Sequence, residues 1–329
     1  MRIISILALF AAAAGVFWLR SQHAGEGASA PRADRSAAEP QILIASEYDE
    51  RRPSFSPDGQ EILFEREIAG QSDLFLRNAA TGAELRLTDT EQSEARASLH
   101  PSGRYIAFES DEFAIEIRKF ENDRLSGDAR RILPARFPAW LGDKGLLHAG
   151  GISEYGEKYG VLEDEYPGID ETMTAPASEI VRRELFTSPY RTAWPSASAD
   201  GRYVAFFSRD GTRGRSDDIY LHDRLTRETR RLTDHPANDF TPAIAPDGAY
   251  VVYASNRLGS GRSKLFAIMA DGACETQISF GPGNHVEPNF SPDGRRIAFS
   301  MRKGGDYDIA GIAAPGPDFC DAEGPAAAD

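Results

Sequence analysis

Hydrophobic and polar positions alternate with a period of two in short segments spread along the chain. The apolar pairs are Ile62/Phe64, Ile106/Phe108, Val204/Phe206, Val251/Tyr253 and Ile297/Phe299. Strict alternation of this kind is typical of a β-strand that buries one face. Each segment follows a Pro-Asp-Gly turn signal or a close variant of it, whose residues suit the backbone angles of a tight turn. The pattern therefore predicts a series of β-hairpins.

These hairpins belong to an internal repeat. The string PSFSPDGQEILF at 53–64 returns as PSASADGRYVAF at 195–206 and as PNFSPDGRRIAF at 288–299. The full set of copies begins at residues 53, 97, 138, 195, 242 and 288, and PAWLGDKGLLHA at 138–149 is the most diverged. Their spacing of 41–57 residues overlaps the period of propeller blades, which is about 40–50 residues.

Two further strands complete each repeat. A third strand is indicated at 73–76, 218–221 and 264–267, and a fourth ends in Leu-Thr at 87–88 and 232–233. Four antiparallel strands in six copies predict an all-β fold, a six-bladed β-propeller over residues 41–312. The last copy lacks its fourth strand, and the sequence Gln-Ile-Leu-Ile at 41–44 stands where that strand is needed. We therefore expect the N-terminal strand to complete the last blade and to leave no open sheet edge.

The termini predict an exported protein. Residues 1–20 contain an unbroken apolar run from Ile3 to Leu19. Ala12 and Ala14 suit a signal-peptide cleavage site, whereas the apolar residues that follow favour an uncleaved membrane anchor. Residues 21–40 read as a flexible tether and 313–329 as a C-terminal tail. Either alternative predicts a periplasmic location or one on the outer side of the inner membrane.

Composition narrows the function classes. The formal net charge of −14 argues against nucleic-acid binding, which needs clustered Lys and Arg. The apolar content of 41% excludes disorder of the whole chain. The two cysteines, Cys274 and Cys320, exclude a Cys-based zinc site. In an oxidising compartment these two form a disulfide that pins the tail, and the alternative is two unpaired thiols.

The third repeat departs from the others. The spacing to the next copy is the longest, and the extra length is an acidic, Tyr- and Gly-containing stretch over 155–177. Insertions in repeat folds map to surface loops and often carry specificity. The stretch is therefore either a functional loop or a solvated loop without a partner.

Aligning the copies on their Pro gives a first candidate site, three residues earlier. This column holds Glu50, Glu94, Ala135, Thr192, Asp239 and His285. In a propeller these positions lie in the loops that converge near the central channel. Glu50, Glu94, Asp239 and His285 suit a divalent cation or a basic side chain entering the channel. The alternative is a polar lining of a water-filled channel.

The column immediately before the Pro gives a second candidate. It holds Arg52, Arg96, Phe137, Trp194, Thr241 and Glu287. Arginines and aromatics at a channel mouth are the residue types that dominate binding energetics. We expect Arg52 and Arg96 to pair with the acids of the first column, and Trp194 to belong to a ligand-binding rim.

The repeat resembles the TolB-like propeller family. The resemblance rests on the pattern P-x-F-S-P-D-G-x-x-I-A-F, followed by D-I-Y and L-T. It covers residues 41–312. The same repeat occurs in periplasmic TolB proteins and in the propellers of prolyl-oligopeptidase-type enzymes. TolB also has an α/β domain ahead of its propeller, and those enzymes have a hydrolase domain with a G-x-S-x-G motif. Neither is expected here.

The sequence and the resemblance together predict a non-catalytic scaffold that binds a protein or peptide of the cell envelope. We expect a monomer without a cofactor. The alternative is a metal-dependent carbohydrate-active enzyme, a lyase or hydrolase, using Glu50, Glu94, Asp239 and His285. That alternative follows from oligogalacturonate lyases, which have similar repeats and use channel histidines with a metal.

Overall fold

The computed structural model describes residues 39–110, 113–151, 158–168, 170, 173–210, 216–259, 261–316 and 319. Within these residues the regular structure is 24 β-strands and a short 3-10 helix, Ala177–Glu179. The strands form six antiparallel sheets of four strands each. The predicted six-bladed β-propeller is therefore confirmed.

The strands follow the repeat blade by blade. Blade 1 contains β2 (Asp49–Phe55), β3 (Glu61–Ile68), β4 (Gln71–Asn78) and β5 (Glu84–Arg86). Blade 2 contains β6 (Ala95–Leu99), β7 (Tyr105–Ser110), β8 (Ala114–Glu121) and β9 (Arg124–Ile132). Blade 3 contains β10 (Arg136–Leu141), β11 (Gly145–Gly151), β12 (Tyr159–Glu165) and β13 (Val181–Ser188). Blade 4 contains β14 (Thr192–Ala197), β15 (Tyr203–Ser208), β16 (Asp218–Asp223) and β17 (Glu228–Arg231). Blade 5 contains β18 (Asp239–Ile244), β19 (Tyr250–Ser255), β20 (Lys264–Met269) and β21 (Glu275–Gln277). Blade 6 contains β22 (Asn284–Phe290), β23 (Arg296–Arg302), β24 (Tyr307–Ala313) and β1 (Gln41–Ile44).

The ring closes through strand β1. It pairs antiparallel with β24, with Gln41 opposite Gly311 and Ile44 opposite Ile309. The first strand of the propeller therefore supplies the outer strand of the last blade, as the sequence predicts. This pairing gives the outer side of β24 a partner for its backbone groups.

The core lies between neighbouring blades. Leu63 and Leu74 of blade 1 pack with Ile106 and Phe108 of blade 2. The contact between blades 5 and 6 is built in the same way. Because every blade buries both faces against its neighbours, the apolar alternation seen in the sequence becomes one continuous ring of packing.

The Leu-Thr motif has a specific structural role. The backbone N–H of Leu74 donates to Thr88 Oγ1 at 2.9 Å, and that of Ile219 donates to Thr233 Oγ1 at 3.0 Å. Strands β5 and β17 both end before these threonines. The hydroxyl therefore continues the hydrogen bonding of the third strand beyond the end of the short fourth strand.

The predicted insertion of blade 3 is partly regular structure. Strand β12 lies inside the acidic stretch and is the third strand of this blade. Glu163 and Asp164 are buried and pair with Arg224 and Arg182 at 2.6 Å each. The prediction that this stretch is wholly a loop was therefore wrong. Part of it forms the third strand of the blade, and two acids of that strand are buried in ion pairs.

Some predictions fall outside the described residues. These are the export segment 1–20, the tether up to residue 38, and most of the tail 313–329. None of the helices in the described ranges has the length and apolar character needed to cross a membrane.

Candidate functional site at the central channel

The first strand of every blade contains a β-bulge just before the proline position. In blade 1, Arg51 pairs with Glu65 and Ser54 with Leu63, so one extra residue lies between the two pairs. The other five blades show the same irregularity. We call the bulged residues the bulge ring: Arg52, Arg96, Phe137, Trp194, Thr241 and Glu287.

All six residues of the bulge ring have a positive φ, between 49° and 62°. Such angles are uncommon outside glycine, and five of the six residues precede a proline, where the backbone is normally extended. Strain of this kind persists only where the surrounding structure holds it, and it concentrates at functional positions. The bulge ring is therefore a candidate site on conformational grounds.

Side chains of the preceding blade hold part of the ring. The backbone N–H of Arg52 donates to Ser300 Oγ at 2.9 Å, and that of Phe137 donates to Glu109 Oε1 at 2.6 Å. The backbone N–H of Arg96 donates to Glu65. These acceptors occupy one position of the second strand, opposite the residue that precedes the bulge. At that position blades 3, 4 and 5 carry Ala149, Phe207 and Ala254, which have no side-chain acceptor.

The ring is charged on one side. Arg52 pairs with Glu65, and its Nε lies 3.3 Å from Glu287. Glu287 also pairs with Arg51 at 2.7 Å. Burial opposes the ionisation of Glu287, but the two arginines outweigh it and hold the pKa of this carboxyl below its usual value. We call this side, formed by blades 6, 1 and 2, the ionic half of the channel.

The opposite side is aromatic and apolar. The rings of Phe137 and Trp194 are 5.2 Å apart. The guanidinium of Arg96 lies 4.8 Å from the Phe137 ring, at the border with the ionic half. Such cation–π contacts stabilise a guanidinium against an aromatic face. We call this side, formed by blades 3, 4 and 5, the apolar half.

A cavity of about 600 Å³ occupies the channel. Arg52, Arg96, Phe137, Trp194 and Glu287 contribute to its wall, which also includes proline side chains of the first strands and of the turns after them. The cavity thus extends from the bulge ring to the face that carries the Pro-Asp-Gly turns, which we call the turn face. The opposite face, where connecting loops lead into the first strands, we call the loop face.

The predicted metal ligands do not come together. Glu50 pairs with Arg66 at 2.8 Å and accepts from Ser46, and Asp239 pairs with Arg257 at 2.8 Å. Both carboxylates are fully buried beside the channel wall and are absent from the cavity lining. The described residues contain no group of three or more His, Cys, Asp or Glu that could hold a metal ion. The predicted set Glu50, Glu94, Asp239 and His285 is therefore not a shared site, because each member has its own local partners.

His285 is occupied on both ring nitrogens. Its Nδ1 lies 2.9 Å from Ser279 Oγ, and its Nε2 lies 3.1 Å from the carbonyl oxygen of Pro282. Burial and the nearby charge of Lys264 lower the pKa of His285 to about 4. The ring is therefore neutral at pH 7 and structural in its contacts.

Two acid pairs occupy the contacts between blades. The backbone N–H of Asp239 donates to the carbonyl oxygen of Asp217 at 2.7 Å, which brings Asp239 beside Asp218. Burial raises the pKa of Asp218 to about 6, and the charge of Asp239 contributes to the rise. Burial likewise raises the pKa of Glu94, with a contribution from Asp73. Each of these four carboxylates has one buried oxygen without a hydrogen-bond partner in the described part of the chain.

Most residues of the second predicted column line the cavity, whereas the predicted metal ligands of the first column do not. Arg52, Arg96 and Trp194 line the cavity, as expected of a channel rim. The prediction that Arg52 and Arg96 pair with the first-column acids was wrong. Their partners are Glu65, Glu287 and, at 2.6 Å, Glu109. Glu65 and Glu109 were missed because they stand within strands, where only the cross-strand register shows that they face the ring.

Cys274 is disulfide-bonded. The other cysteine in the sequence, Cys320, lies outside the described residues. The pairing of these two residues stays a prediction.

Comparison with known proteins gives a family-model match over residues 177–318, described as the TolB beta propeller domain. The chain is 32% identical over 125 residues to the Tol-Pal system protein TolB of Nitratidesulfovibrio vulgaris. The aligned segment covers 37% of this chain and 27% of that protein. It is 23% identical over 215 residues to an uncharacterized peptidase of Bacillus subtilis. This aligned segment covers 62% of this chain and 29% of that protein. The matched segments thus span less than a third of either relative.

Solved structures show the same fold. A putative TolB from Agrobacterium tumefaciens superposes with a TM-score of 0.60 at 19% identity, covering 84% of this chain and 94% of that one. An oligogalacturonate lyase in complex with manganese superposes with a TM-score of 0.54 at 14% identity, covering 83% and 92%. At these identities the likeness concerns the fold alone.

Proposed function

We propose that this chain, which belongs to the TolB-like β-propeller family, is a binding module that recognises a protein or peptide at its central channel. The observation that carries the proposal is the cavity bounded by the bulge ring. It offers an aromatic pair, Phe137 and Trp194, beside two arginines that are held in place by glutamates. Aromatic residues and arginine are enriched at protein interfaces and at their energetic centres.

The site is prepared for binding before any partner arrives. The bulge fixes the backbone of each ring residue, and side chains of the preceding blades accept hydrogen bonds from the backbone N–H groups of three of them, Arg52, Arg96 and Phe137. A rigid wall loses little conformational freedom when a ligand docks, which favours affinity. We further propose that the chain is exported and that its partner is in the cell envelope; the apolar N-terminal segment and the similarity to TolB support this part of the proposal.

The geometry does not favour the enzymatic alternative. A metal-dependent lyase or hydrolase needs a group of ligands that converge on one ion. Glu50, Asp239 and His285 each bind local partners instead. We therefore propose binding without catalysis.

Photo-crosslinking tests the proposal. A photoreactive phenylalanine in place of Trp194, in the full-length chain expressed in its native envelope, is expected to give a discrete covalent adduct with one partner. Leu258 is 50% exposed in the segment between β19 and β20 of blade 5, is not part of the cavity wall, and provides the control position for the same amino acid. The adduct should disappear when Arg96→Glu is added, because this change reverses the charge beside the aromatic pair. The same adducts from both positions, or none from position 194, would contradict a channel-sited binding module.

A further inference from the structure

The loop face has an exposed apolar patch on one side of the channel. Phe113 is 65% exposed, Leu133 is 52% exposed and Tyr190 is 46% exposed. Leu133 and Tyr190 occupy the same position of the repeat in successive copies, five residues before the proline. They therefore lie on adjacent loops that lead into β10 and β14.

Phe113 joins this patch through the backbone. The N–H of Ala135 donates to the carbonyl oxygen of Phe113 at 2.8 Å, which ties the loop before β8 to the loop before β10. The guanidinium of Arg136 lies 5.1 Å from the ring of Phe113 and 5.4 Å from the ring of Phe137. Arg136 thus links the exposed patch to the bulge ring.

These contacts define a strip that enters the channel. We call Phe113, Leu133, Tyr190, Phe137 and Trp194 together the apolar strip. Its outer part lies on the loop face, and its inner part is the aromatic wall of the cavity. Clustered apolar side chains exposed on a soluble domain mark interaction surfaces more often than isolated ones do.

Three arginines lie beside the strip. Arg96 and Arg136 share one carboxylate, that of Glu109, at 2.6 Å and 3.1 Å. Arg191 is exposed, and no carboxylate among the described residues pairs with it. Its guanidinium lies 4.9 Å from the ring of Phe207 in the apolar half. Among the described residues, these three arginines therefore outnumber the one carboxylate that pairs with them, although the whole chain has a net charge of −14.

The loop face of blade 1 differs in charge. Glu47, Glu67 and Glu91 are exposed there, at the ends of the segments that surround β2 and β3. None of these three glutamates forms an ion pair within the described residues. An anionic partner would be repelled from this side and attracted to the strip, which fixes its orientation.

We propose that the apolar strip binds an extended peptide segment in which acidic residues alternate with aromatic or aliphatic ones. The acidic groups pair with Arg136 and Arg191, and the apolar side chains lie on Leu133, Tyr190 and the ring residues. This inference rests on the proposed function and names the chemistry of the partner.

Direct binding of synthetic peptides to the purified full-length chain tests the inference. Two fluorescent peptides share one pattern of Phe and Leu; the intervening positions are Glu and Asp in one and Lys and Arg in the other. We expect the acidic peptide to bind at least about tenfold more tightly by fluorescence anisotropy. Tyr190→Ser and Arg191→Glu should each weaken it by about tenfold.

A matched variant controls for general effects. Leu258→Ser removes an apolar side chain of similar exposure from blade 5, outside the strip, and should change the affinity by less than about twofold. Equal binding of both peptides, or equal losses in Leu258→Ser and Tyr190→Ser, would overturn the inference.

The outcomes separate this inference from the proposed function. If the crosslink at position 194 forms but the acidic peptide has no advantage, the channel still binds a partner and the assigned chemistry is wrong. If neither crosslink nor peptide binding occurs, both fail. Binding to vesicles of phosphatidylcholine with phosphatidylglycerol, lost in Arg191→Glu and without any peptide binding, would assign the strip to a membrane surface and also overturn the inference.

Discussion

The two halves of the channel use the same backbone in different ways. Both contain the bulge and the positive φ at each ring residue. In the ionic half, Glu65, Glu109 and Ser300 accept hydrogen bonds from the ring, and arginines pair with the glutamates. In the apolar half the equivalent side chains accept nothing, and packing of Phe137, Trp194 and Phe207 replaces them.

This difference suggests separate roles for the two halves: one supports the structure of the ring, and the other contacts the partner. Buried ion pairs with several hydrogen bonds fix a geometry, but their charged groups are already paired with one another. The apolar half leaves aromatic surface beside a cavity, where a partner gains from burying it. We therefore assign structural support to the ionic half and partner contact to the apolar half.

The largest expected effect comes from breaking the ionic half. Glu65→Ala leaves Arg52 without its close partner and the N–H of Arg96 without an acceptor. Removing one member of a buried ion pair costs about 3–5 kcal/mol in the free energy of unfolding. Urea titration of the purified chain measures this loss.

A double variant provides the control. Arg52→Met with Glu65→Met removes both charges and should recover part of the loss, because no unpaired charge stays buried. A loss below about 1 kcal/mol in Glu65→Ala would mean that the pair behaves like a surface ion pair, and the proposed division of the channel would then be wrong.

Two buried carboxyls, Glu287 of blade 6 and Asp218 of blade 4, differ in protonation. Arginines keep the pKa of Glu287 low, whereas burial raises the pKa of Asp218 from 3.8 to about 6 at the contact of blades 4 and 5. A folded-state pKa above the unfolded value means that the folded chain binds more protons in this window. The contribution of Asp218 to stability is therefore full below pH 3.8 and is lost as the pH rises through about 6.

Asp218→Asn tests this difference. An amide is neutral at every pH and can still accept from Arg231, which pairs with Asp218 at 2.7 Å. We expect the fall in stability between pH 4 and pH 6.5 to shrink by an amount on the order of 2 kcal/mol. Thermal unfolding across this pH range gives the measurement, and an unchanged pH profile would show that Asp218 is ionised throughout.

The smallest expected effect lies at the border between the halves. The backbone N–H of Glu287 donates to Thr241 Oγ1 at 3.2 Å, so a residue of the apolar half supports one of the ionic half. Thr241→Val keeps the shape of the side chain and removes the acceptor. We expect a loss of about 1 kcal/mol in the free energy of unfolding. Thr241→Ser, which keeps the hydroxyl, should retain most of this hydrogen bond, and an equal loss in both variants would exclude it as the cause.

Part of the candidate site was accessible from the sequence. Aligning the copies on their proline identified the residues of the bulge ring as one column, including Arg52, Arg96 and Trp194. The same alignment misplaced the metal site, because Glu50 and Asp239 also align but fold into separate ion pairs. A shared position in a repeat fixes the level of a residue along the channel and says nothing about where its side chain points.

The sequence by itself determined the number of blades, the turns and the closing strand. Each of these depends on local alternation, on turn residues and on the offset of one copy from the next, which are all properties of the linear chain. Only the tertiary structure decided how the channel is divided. The bulge contradicts the usual preference of a residue before proline, and the partners of Arg52 and Arg96 come from cross-strand register and from neighbouring blades. Contacts between blades join residues far apart in sequence, so only the closed ring brings them together.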